Sequence, residues 1–171
     1  KIIIVCGITS LRGAFSYRKE VMEIDKMGLR RMMRARNRAL SAEEREAASA
    51  RIFSQVESLP AFGRAHCVAA FCALGDEPAT QEVLDRWLKS GRRVVVPRVE
   101  GDEMQFYDYA PEEVASGAFG IAEPSSEARL CLPSEIDLMV VPGVAFTREG
   151  MRLGRGKGYY DKYLSREGFR A

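Results

Sequence analysis

The sequence predicts an α/β fold, specifically a three-layer sandwich with a mostly parallel, Rossmann-like central sheet. One observation is that apolar segments of strand length recur, and most are continuous rather than alternating, as in strands buried on both faces. Another is that segments with helical periodicity separate them, because strand, helix and strand in succession is typical of parallel strands with crossover helices. The chain has 171 residues, which is enough for one sizeable hydrophobic core but too few for two domains that each have a core of that size.

Two helices are predicted before the first apolar strand. Residues 26–40 favour helix and place apolar side chains on one face. Ser41 and Glu44 have the spacing of a capping box, in which each side chain satisfies the exposed amide of the other residue. The second helix is therefore predicted over residues 42–58, and Pro60 ends it.

The remaining elements follow from apolar runs and turn residues. Continuous apolar residues predict a strand over residues 66–74. The spacing of apolar residues predicts a helix over 79–90. Further strands are predicted over residues 92–99, 104–109 and 136–143.

The fold class also predicts where a ligand binds. In open α/β sheets, ligands lie beyond the carboxyl ends of the strands. Two segments occupy such positions, GDEPAT at residues 75–80 and PGVAFTREGMRLGRGKG at residues 142–158. We therefore expect these two segments to form the functional site.

The composition predicts the compartment in which the protein acts and excludes some kinds of partner. The longest apolar runs are far shorter than the roughly 18 residues of a membrane span, so no membrane partner is expected. Four cysteines and one histidine show no metal-ligand or C-x-x-C spacing. Reduced thiols in a cytoplasmic protein are therefore predicted.

Charge is unevenly distributed. Residues 1–40 hold ten Lys and Arg against three Asp and Glu, and residues 151–171 hold six against two. The segment between them holds ten against nineteen. The two basic ends are either solvated faces or two halves of one anion site that folding brings together.

The run MRLGRGKGYYDKYL, residues 151–164, has the composition of an anion site. Its three glycines let backbone N–H groups approach a ligand closely. Arg152, Arg155 and Lys157 supply positive charge for phosphate or carboxylate groups. If Arg155 and Lys157 are exposed loop cations that grip a phosphoryl group, either one changed to Ala should lose more turnover than stability.

The same run does not match the standard phosphate-binding motifs. A P-loop would have glycine at Met151 and a hydroxyl residue at Gly158, and a dinucleotide fingerprint would have glycine at Tyr159. From the residues alone, three interpretations stay open: a flexible basic loop, a phosphate site, and an RNA contact with tyrosines that stack on bases.

A longer pattern resembles a known family. The run PGVAFTREGMRLGRGKGYYDKYL is similar to the signature of 5-formyltetrahydrofolate cyclo-ligase, also called methenyltetrahydrofolate synthetase. Upstream, Lys26 to Arg30 match the family's Lys-x-x-Leu-Arg opening, residues 75–80 match its acidic turn, and residues 91–98 match its Gly-x-x-Val-x-x-Pro-Arg strand. The resemblance runs in order from Lys26 to about Arg166.

The resemblance implies an activity. Members of this family convert 5-formyltetrahydrofolate to 5,10-methenyltetrahydrofolate with ATP and Mg²⁺, and they release ADP and phosphate. The expected substrate is thus a small molecule, and a nucleic-acid partner is not expected. We expect a monomer, with a dimer as the alternative. The alternative function is binding of a nucleotide or RNA by the same scaffold without catalysis.

The resemblance also implies site residues. Residues contacting ATP would be Lys26, Arg30, Arg152, Leu153, Gly154, Arg155, Gly156, Lys157, Gly158, Tyr159 and Tyr160. Folate would contact Cys72, Glu77, Arg155, Gly156, Lys157, Gly158 and Tyr159. Asp161 would hold Mg²⁺, and Arg155, Lys157 and Tyr159 would act in catalysis.

Several of these residues have a purely structural alternative. Glu77 could begin a turn, Asp161 could be an N-terminal charge on the last helix, and Tyr160 and Tyr163 could belong to the core. Cys72 at the end of an apolar strand more often packs than binds.

The two ends of the chain depart from the family pattern. Residues 1–25 form an N-terminal extension of unknown role, for which a strand that pairs with the sheet is one alternative. Residues 26–171 form the cyclo-ligase-like α/β domain, and the chain ends at Ala171, before the family's C-terminal tail. We therefore expect a folate site that is less complete than the ATP site.

Overall fold

The protein's structure, a computed structural model, describes residues 2–6, 25–113, 115–116, 122–147 and 150–169. In this part of the chain, no helix combines the length and apolar character that a membrane crossing requires. The α-helices are α1 (Lys26–Arg38), α2 (Ala42–Glu57), α3 (Pro60–Arg64), α4 (Gln81–Lys89) and α5 (Tyr159–Leu164). The strands are β1 (Ile2–Cys6), β2 (Cys67–Ala69), β3 (Arg93–Glu100), β4 (Glu103–Asp108), β5 (Ala115–Ser116), β6 (Ala122–Glu123), β7 (Leu130–Cys131), β8 (Leu138–Pro142), β9 (Ala145–Phe146) and β10 (Arg152–Leu153).

The main sheet is mixed. Its strand order is β1, β8, β2, β3, β4, β7. The pairs from β1 to β3 are parallel, whereas β3 with β4 and β4 with β7 are antiparallel. The predicted α/β class is confirmed, and the prediction of a mostly parallel sheet is wrong for the half that contains β4 and β7.

A tight hairpin explains the antiparallel half. Glu100 pairs with Glu103, so only Gly101 and Asp102 connect β3 to β4. A parallel pair needs a crossover of about a dozen residues or more, so this connection permits only antiparallel pairing. Gly101 has a φ of 62°, in the left-handed region that such turns require.

Alternate residues along β2 and just after it pack into two different core clusters. Val68 and Ala70 lie in a cluster with side chains of α2, α3 and α4. Cys67 and Ala69 lie in the other cluster, which contains Tyr163 of α5. The predicted three-layer sandwich is not confirmed, because α5, with six residues, is the one α-helix of the described chain that packs into the second cluster.

The predicted helices are present with small changes at their ends. Asp25 begins α1, because its side chain accepts a hydrogen bond from the Met27 amide at 3.0 Å. The predicted capping box of α2 is confirmed. The Ser41 hydroxyl accepts from the Glu44 amide at 3.1 Å, and the Glu44 carboxylate accepts from the Ser41 amide at 2.8 Å.

The N-terminal strand belongs to the main sheet. β1 pairs in parallel with β8, with Ile2 opposite Leu138 and Cys6 opposite Pro142. The strand alternative for the N-terminal extension is therefore confirmed for Ile2–Cys6. Residues 7–24 of the extension lie outside the described residues.

Candidate active site

Two loops meet at the carboxyl edge of the parallel strands. Because β2 and β8 are parallel neighbours, the segments that follow them leave the sheet on the same side. The turn after β2 holds Asp76 and Glu77, and the glycine-rich segment after β8 holds Arg155. Arg155 forms ion pairs with both carboxylates, so the two predicted segments are in direct contact.

A short hairpin supports the glycine-rich segment. β9 and β10 pair antiparallel, with Arg152 opposite Phe146. A Cβ on Gly143 would lie 2.5 Å from Cζ of Phe146, so any larger residue where the chain leaves β8 would force the Phe146 ring to move. This segment was predicted to be a loop, and the hairpin was not predicted because its strands have only two residues each.

Two glycines after the hairpin adopt left-handed backbone conformations. Gly156 has a φ of 109° and Gly158 has a φ of 75°. Residues with a Cβ rarely adopt these conformations, so the chain turns here because glycine occupies both positions. The turns place Lys157 between the two glycines, two residues after Arg155 and two residues before α5 begins at Tyr159.

Arg155 lies between two buried carboxylates. Its Nε donates to Oε1 of Glu77 at 2.7 Å, its Nη1 donates to Oδ2 of Asp76 at 3.4 Å, and its Nη2 donates to Oδ1 of Asp76. The side chains of Asp76 and Glu77 are only 5% and 7% exposed. The prediction of an exposed loop cation is therefore wrong for Arg155, whereas Lys157 is exposed.

Asp76 also binds α1. Its Oδ2 accepts a hydrogen bond from Nε of Arg34 at 3.2 Å, and Nε of Arg38 lies 4.0 Å from the same oxygen. Burial alone would raise the pKa of the Asp76 carboxyl. Hydrogen bonds and positive charge from Arg155 and Arg34 outweigh burial and hold this pKa below its ordinary value. Asp76 is thus ionised at neutral pH.

Glu77 closes its own turn and also holds Arg155. Its Oε2 accepts from the Leu74 amide at 3.0 Å, while its own amide donates to the Leu74 oxygen at 2.9 Å. Its other carboxylate oxygen accepts from Arg155. The structural alternative, in which Glu77 begins a turn, is wrong in its position, because Glu77 ends the turn that starts at Leu74 and also contacts Arg155.

Arg30 joins α1 to the glycine-rich segment. Its Nε donates to the main-chain oxygen of Gly154 at 2.8 Å. A Cβ on Gly156 would lie 3.6 Å from Cζ of Arg30, so the loop passes close to this guanidinium. Lys26 is exposed one helical turn before Arg30, at the start of the same helix.

Arg152 is held by three groups. Its Nη1 donates to the Pro142 oxygen at 3.1 Å, and its Nη2 donates to Oδ1 of Asp161 at 2.5 Å. The guanidinium carbon lies 5.8 Å from the centre of the Tyr160 ring. The side chain of Arg152 is 14% exposed and that of Asp161 is 73% exposed, so the carboxylate reaches solvent.

An open groove of about 630 Å³ lies between α1 and the glycine-rich segment. Arg30, Arg34 and Arg38 contribute to it at four-residue spacing, which places them on one face of α1. Its lining residues are Met27, Arg30, Arg31, Arg34, Ala35, Arg38, Arg155, Gly156 and Lys157. The concentration of cations makes this groove attractive to a polyanion.

A second cavity, of about 290 Å³, lies beside the acidic turn. Cys72, Glu77 and Arg45 are among its lining residues. Burial, together with the negative charge of Glu123, raises the pKa of the Cys72 thiol to about 12. Cys72 is therefore a neutral thiol at neutral pH, which suits contact with a ligand better than nucleophilic attack.

The tyrosines of α5 divide between core and site. Tyr163 is fully buried, and its ring lies 4.8 Å from that of Phe106. Tyr159 and Tyr160 are partly buried and pack against the same cluster. The core interpretation is therefore correct for Tyr163, while Tyr159 and Tyr160 retain exposed surface next to Gly158.

The residues present can supply one ligand to Mg²⁺. In the described part of the chain, no group of three or more His, Cys, Asp or Glu could hold a metal ion. Mg²⁺ is often bound by one or two carboxylates together with phosphate oxygens of a substrate. The exposed carboxylate of Asp161 fits that role, although one of its oxygens is engaged by Arg152.

The residues that connect the two halves of the site were not predicted from the sequence. Asp76, Arg34 and Arg38 were not singled out, although Asp76 precedes Glu77 and the two arginines continue the spacing of Arg30. That spacing was the available signal. Asn37 could not have been found in this way, because its contact with Asp76 depends on the tertiary fold.

Comparisons with known proteins identify a family. A model of the 5-formyltetrahydrofolate cyclo-ligase family matches residues 22–170. The 5-formyltetrahydrofolate cyclo-ligase of Escherichia coli K12 is 33% identical over 138 residues, which cover 78% of this chain and 76% of the relative. A probable 5-formyltetrahydrofolate cyclo-ligase of Schizosaccharomyces pombe is 34% identical over 151 residues, or 85% of this chain and 74% of the relative.

Solved structures give the same result. The 5,10-methenyltetrahydrofolate synthetase of Aquifex aeolicus has a TM-score of 0.74 and 39% identity, over 82% of this chain and 72% of its own. The synthetase of Mycoplasma pneumoniae has a TM-score of 0.65 and 26% identity, over 82% and 77%. Because the family model matches nearly the whole chain from Lys26 onward, this protein belongs to the 5-formyltetrahydrofolate cyclo-ligase family.

Proposed function

We propose that this protein catalyses the ATP-dependent cyclisation of 5-formyltetrahydrofolate to 5,10-methenyltetrahydrofolate, with ADP and phosphate as the other products. Membership of the family supports this activity. The observation that carries it is the position of Arg155, which lines the cationic groove and contacts the acidic turn beside the second cavity. A group bound in the groove and a group bound at the turn would therefore meet at this side chain.

The reaction needs positioned charge more than a protein nucleophile. The formyl oxygen attacks the γ-phosphorus of ATP and displaces ADP, which activates the formyl carbon. N10 of the folate then attacks that carbon, loses its proton, and phosphate leaves with the former formyl oxygen. Transition states of phosphoryl transfer are stabilised mainly by alignment and by positive charge, which the arginines of this site can provide.

The groove is the proposed site of the ATP phosphates. Arg30 and Lys157 face it from α1 and from the loop, and Lys26 lies one turn before Arg30. The segment Arg152 to Tyr160 would wrap the triphosphate, because its glycines leave backbone amides accessible. Arg155, Lys157 and Tyr159 are the proposed catalytic residues, since they would lie between the two ligands in this arrangement.

Folate is proposed to bind at the second cavity. Glu77 would accept hydrogen bonds from N–H groups of the pterin, with Cys72 packing beside it. The exposed part of Tyr159 would stack on the ring. Arg155 and the glycines beside it would contact the formyl end of the substrate.

Mg²⁺ is proposed to bind Asp161 and the ATP phosphates. When bound, the ion neutralises phosphate charge and orients the γ-phosphate. Nη2 of Arg152 donates to Oδ1 of Asp161 at 2.5 Å. With Mg²⁺ bound, Arg152 would either keep the carboxylate in position for the ion or turn toward the phosphates. We further propose that the protein acts in the cytoplasm as a monomer on a small-molecule substrate, without nucleic acid.

The experiment is to mix the purified protein with 5-formyltetrahydrofolate and Mg-ATP and to record the near-ultraviolet absorbance of the methenyl product. Omission of ATP, and replacement of ATP by an analogue that cannot transfer its γ-phosphoryl group, should each abolish the signal. A protein that binds ATP or RNA without turnover would give no absorbance change under any of these conditions. That result would favour the binding-only alternative.

A further inference from the structure

We propose that Asp76 is a positioning residue of this reaction, which aims Arg155 into the cationic groove and ties it to α1. The inference rests on the proposed function, because it assigns how Arg155 is set for phosphoryl transfer. Asp76 lies at the centre of a contact between three segments: α1, the acidic turn and the glycine-rich loop.

Both carboxylate oxygens of Asp76 are engaged. Oδ1 accepts from Nη2 of Arg155, and Oδ2 accepts from Nη1 of Arg155 at 3.4 Å and from Nε of Arg34 at 3.2 Å. Two-point contact with a planar guanidinium fixes its orientation as well as its position. The direction in which Arg155 points is therefore set by Asp76 and, through Arg34, by α1.

The backbone of Asp76 is fixed by the same helix. The amide nitrogen Nδ2 of Asn37 lies 3.4 Å from the main-chain oxygen of Asp76 and 3.4 Å from that of Val144. Asn37 is only 2% exposed, so water competes little for these contacts. Asn37 of α1 thus contacts both the acidic turn and the start of the hairpin. These contacts fix the backbone that carries the Asp76 carboxylate.

Asp76 and Glu77 play different parts around Arg155. Glu77 accepts a single hydrogen bond from Arg155 and lines the second cavity, where folate is proposed to bind. Asp76 is absent from the residues lining either cavity and makes its contacts with arginines. If a substrate N–H group takes the Glu77 oxygen that accepts from Arg155, Asp76 still holds Arg155 through its two oxygens.

The arrangement separates binding from turnover. Asp76 is a negative charge in contact with three of the cations that line the groove. Its removal makes the groove more positive, which favours a polyphosphate, while Arg155 loses its two-point contact. The proposal therefore predicts a lower kcat with no loss of ATP affinity, a pattern that simple loss of folded protein does not give.

The main test is Asp76→Asn, with titration calorimetry of an ATP analogue and with turnover measured at saturating substrates. We expect unchanged or tighter nucleotide binding, and turnover per binding site lower by about ten- to a hundredfold. Asp76→Glu keeps the charge and should retain more turnover than Asp76→Asn. Unchanged turnover per binding site would overturn the proposal. Absence of turnover in the unmodified protein would instead contradict the proposed function.

A second pair of variants keeps the test decisive if Asp76→Asn does not fold. Arg34→Gln and Arg38→Gln each remove one charge from the same groove face, and their side chains are 40% and 64% exposed. Of these two arginines, Arg34 donates a hydrogen bond to Asp76 at 3.2 Å, whereas Nε of Arg38 lies 4.0 Å from the same carboxylate. We expect Arg34→Gln to lower kcat at saturating ATP several-fold more than Arg38→Gln, and equal losses would overturn the proposal.

Discussion

Arg152 and Asp161 form an ion pair, with 2.5 Å between Nη2 and Oδ1, that joins β10 to the first turn of α5. Both residues belong to the segment proposed to bind ATP and Mg²⁺. The carboxylate is 73% exposed, so the pair contributes little to folding, about 1 kcal/mol or less. We therefore expect the ion pair to matter for activity more than for folding.

Asp161→Asn should raise the Mg²⁺ concentration needed for half-maximal turnover by about tenfold or more, because a charged ligand becomes neutral. The melting temperature should change little. Titration of turnover with Mg²⁺ at fixed ATP checks this prediction. Glu167→Gln is the matched control, since it removes an exposed carboxylate just beyond α5. Equal Mg²⁺ requirements in both variants would argue against a metal role for Asp161.

Lys157→Ala and Arg155→Ala should differ in their effect on stability. Lys157 is exposed, so its loss should reduce turnover by about a hundredfold while the melting temperature stays constant. Arg155→Ala should reduce both, because it leaves Asp76 and Glu77 buried without their shared cation. Thermal melting and steady-state kinetics of both variants, with Lys89→Ala as an exposed-lysine control, test this difference. A stable Arg155→Ala variant would contradict the ion-pair geometry.

The stability contributed by Asp76 should depend on pH. The folded pKa of its carboxyl is lowered below the ordinary value of 3.8. The contribution is therefore complete above the unfolded pKa of about 3.9, and it is lost as the pH falls through the folded value. Asp76→Asn should cost about 2 kcal/mol at pH 7, and this difference from the unmodified protein should shrink below about pH 4.

Urea denaturation of both proteins at several pH values measures that difference. Asp102→Asn, in the exposed turn between β3 and β4, is the control and should change the free energy of unfolding by less than about 0.5 kcal/mol at any pH. A difference between Asp76→Asn and the unmodified protein that stays constant down to pH 3 would show that the carboxylate charge is not what stabilises the fold.

Gly156→Ala should lose activity beyond its cost in stability. Gly156 and Gly101 both have positive φ values, 109° and 62°, so alanine at either position should cost on the order of 1–2 kcal/mol. Only Gly156 lies in the proposed ATP loop, beside Arg30. Comparison of melting temperature and KM for ATP in the two variants checks this prediction. A raised KM in Gly101→Ala as well would indicate a general effect of destabilisation.

Local signals predicted α1, α2 and α4 and four strands of the main sheet, but they missed α3 and the strands of two residues each. The capping box of Ser41 and Glu44 fixed the start of α2, because it depends on residues close in sequence. The strand predicted over 66–74 was too long, since the apolar run continues after Ala69 into buried chain outside the sheet ladder. Apolar character reports burial, and burial alone does not distinguish a strand from a packed loop.

The segments of the candidate site were predicted, but the ion pairs that join them were not. The glycine-rich segment and Glu77 were identified from motif and position in the fold. The pairing of Arg155 with Asp76 joins residues far apart in sequence, and side-chain periodicity carries no information about it. The ion pair between Arg152 and Asp161 was missed for a different reason, because the β9–β10 hairpin that places Arg152 was not recognised.

The most direct test of the proposed mechanism follows the formyl oxygen. 5-Formyltetrahydrofolate labelled with a heavy oxygen isotope in the formyl group is converted with Mg-ATP, and the released phosphate is analysed by mass spectrometry. The account predicts that phosphate carries the label, with one labelled atom for each methenyl product formed. Unlabelled phosphate formed together with the methenyl product would contradict attack of the formyl oxygen on ATP.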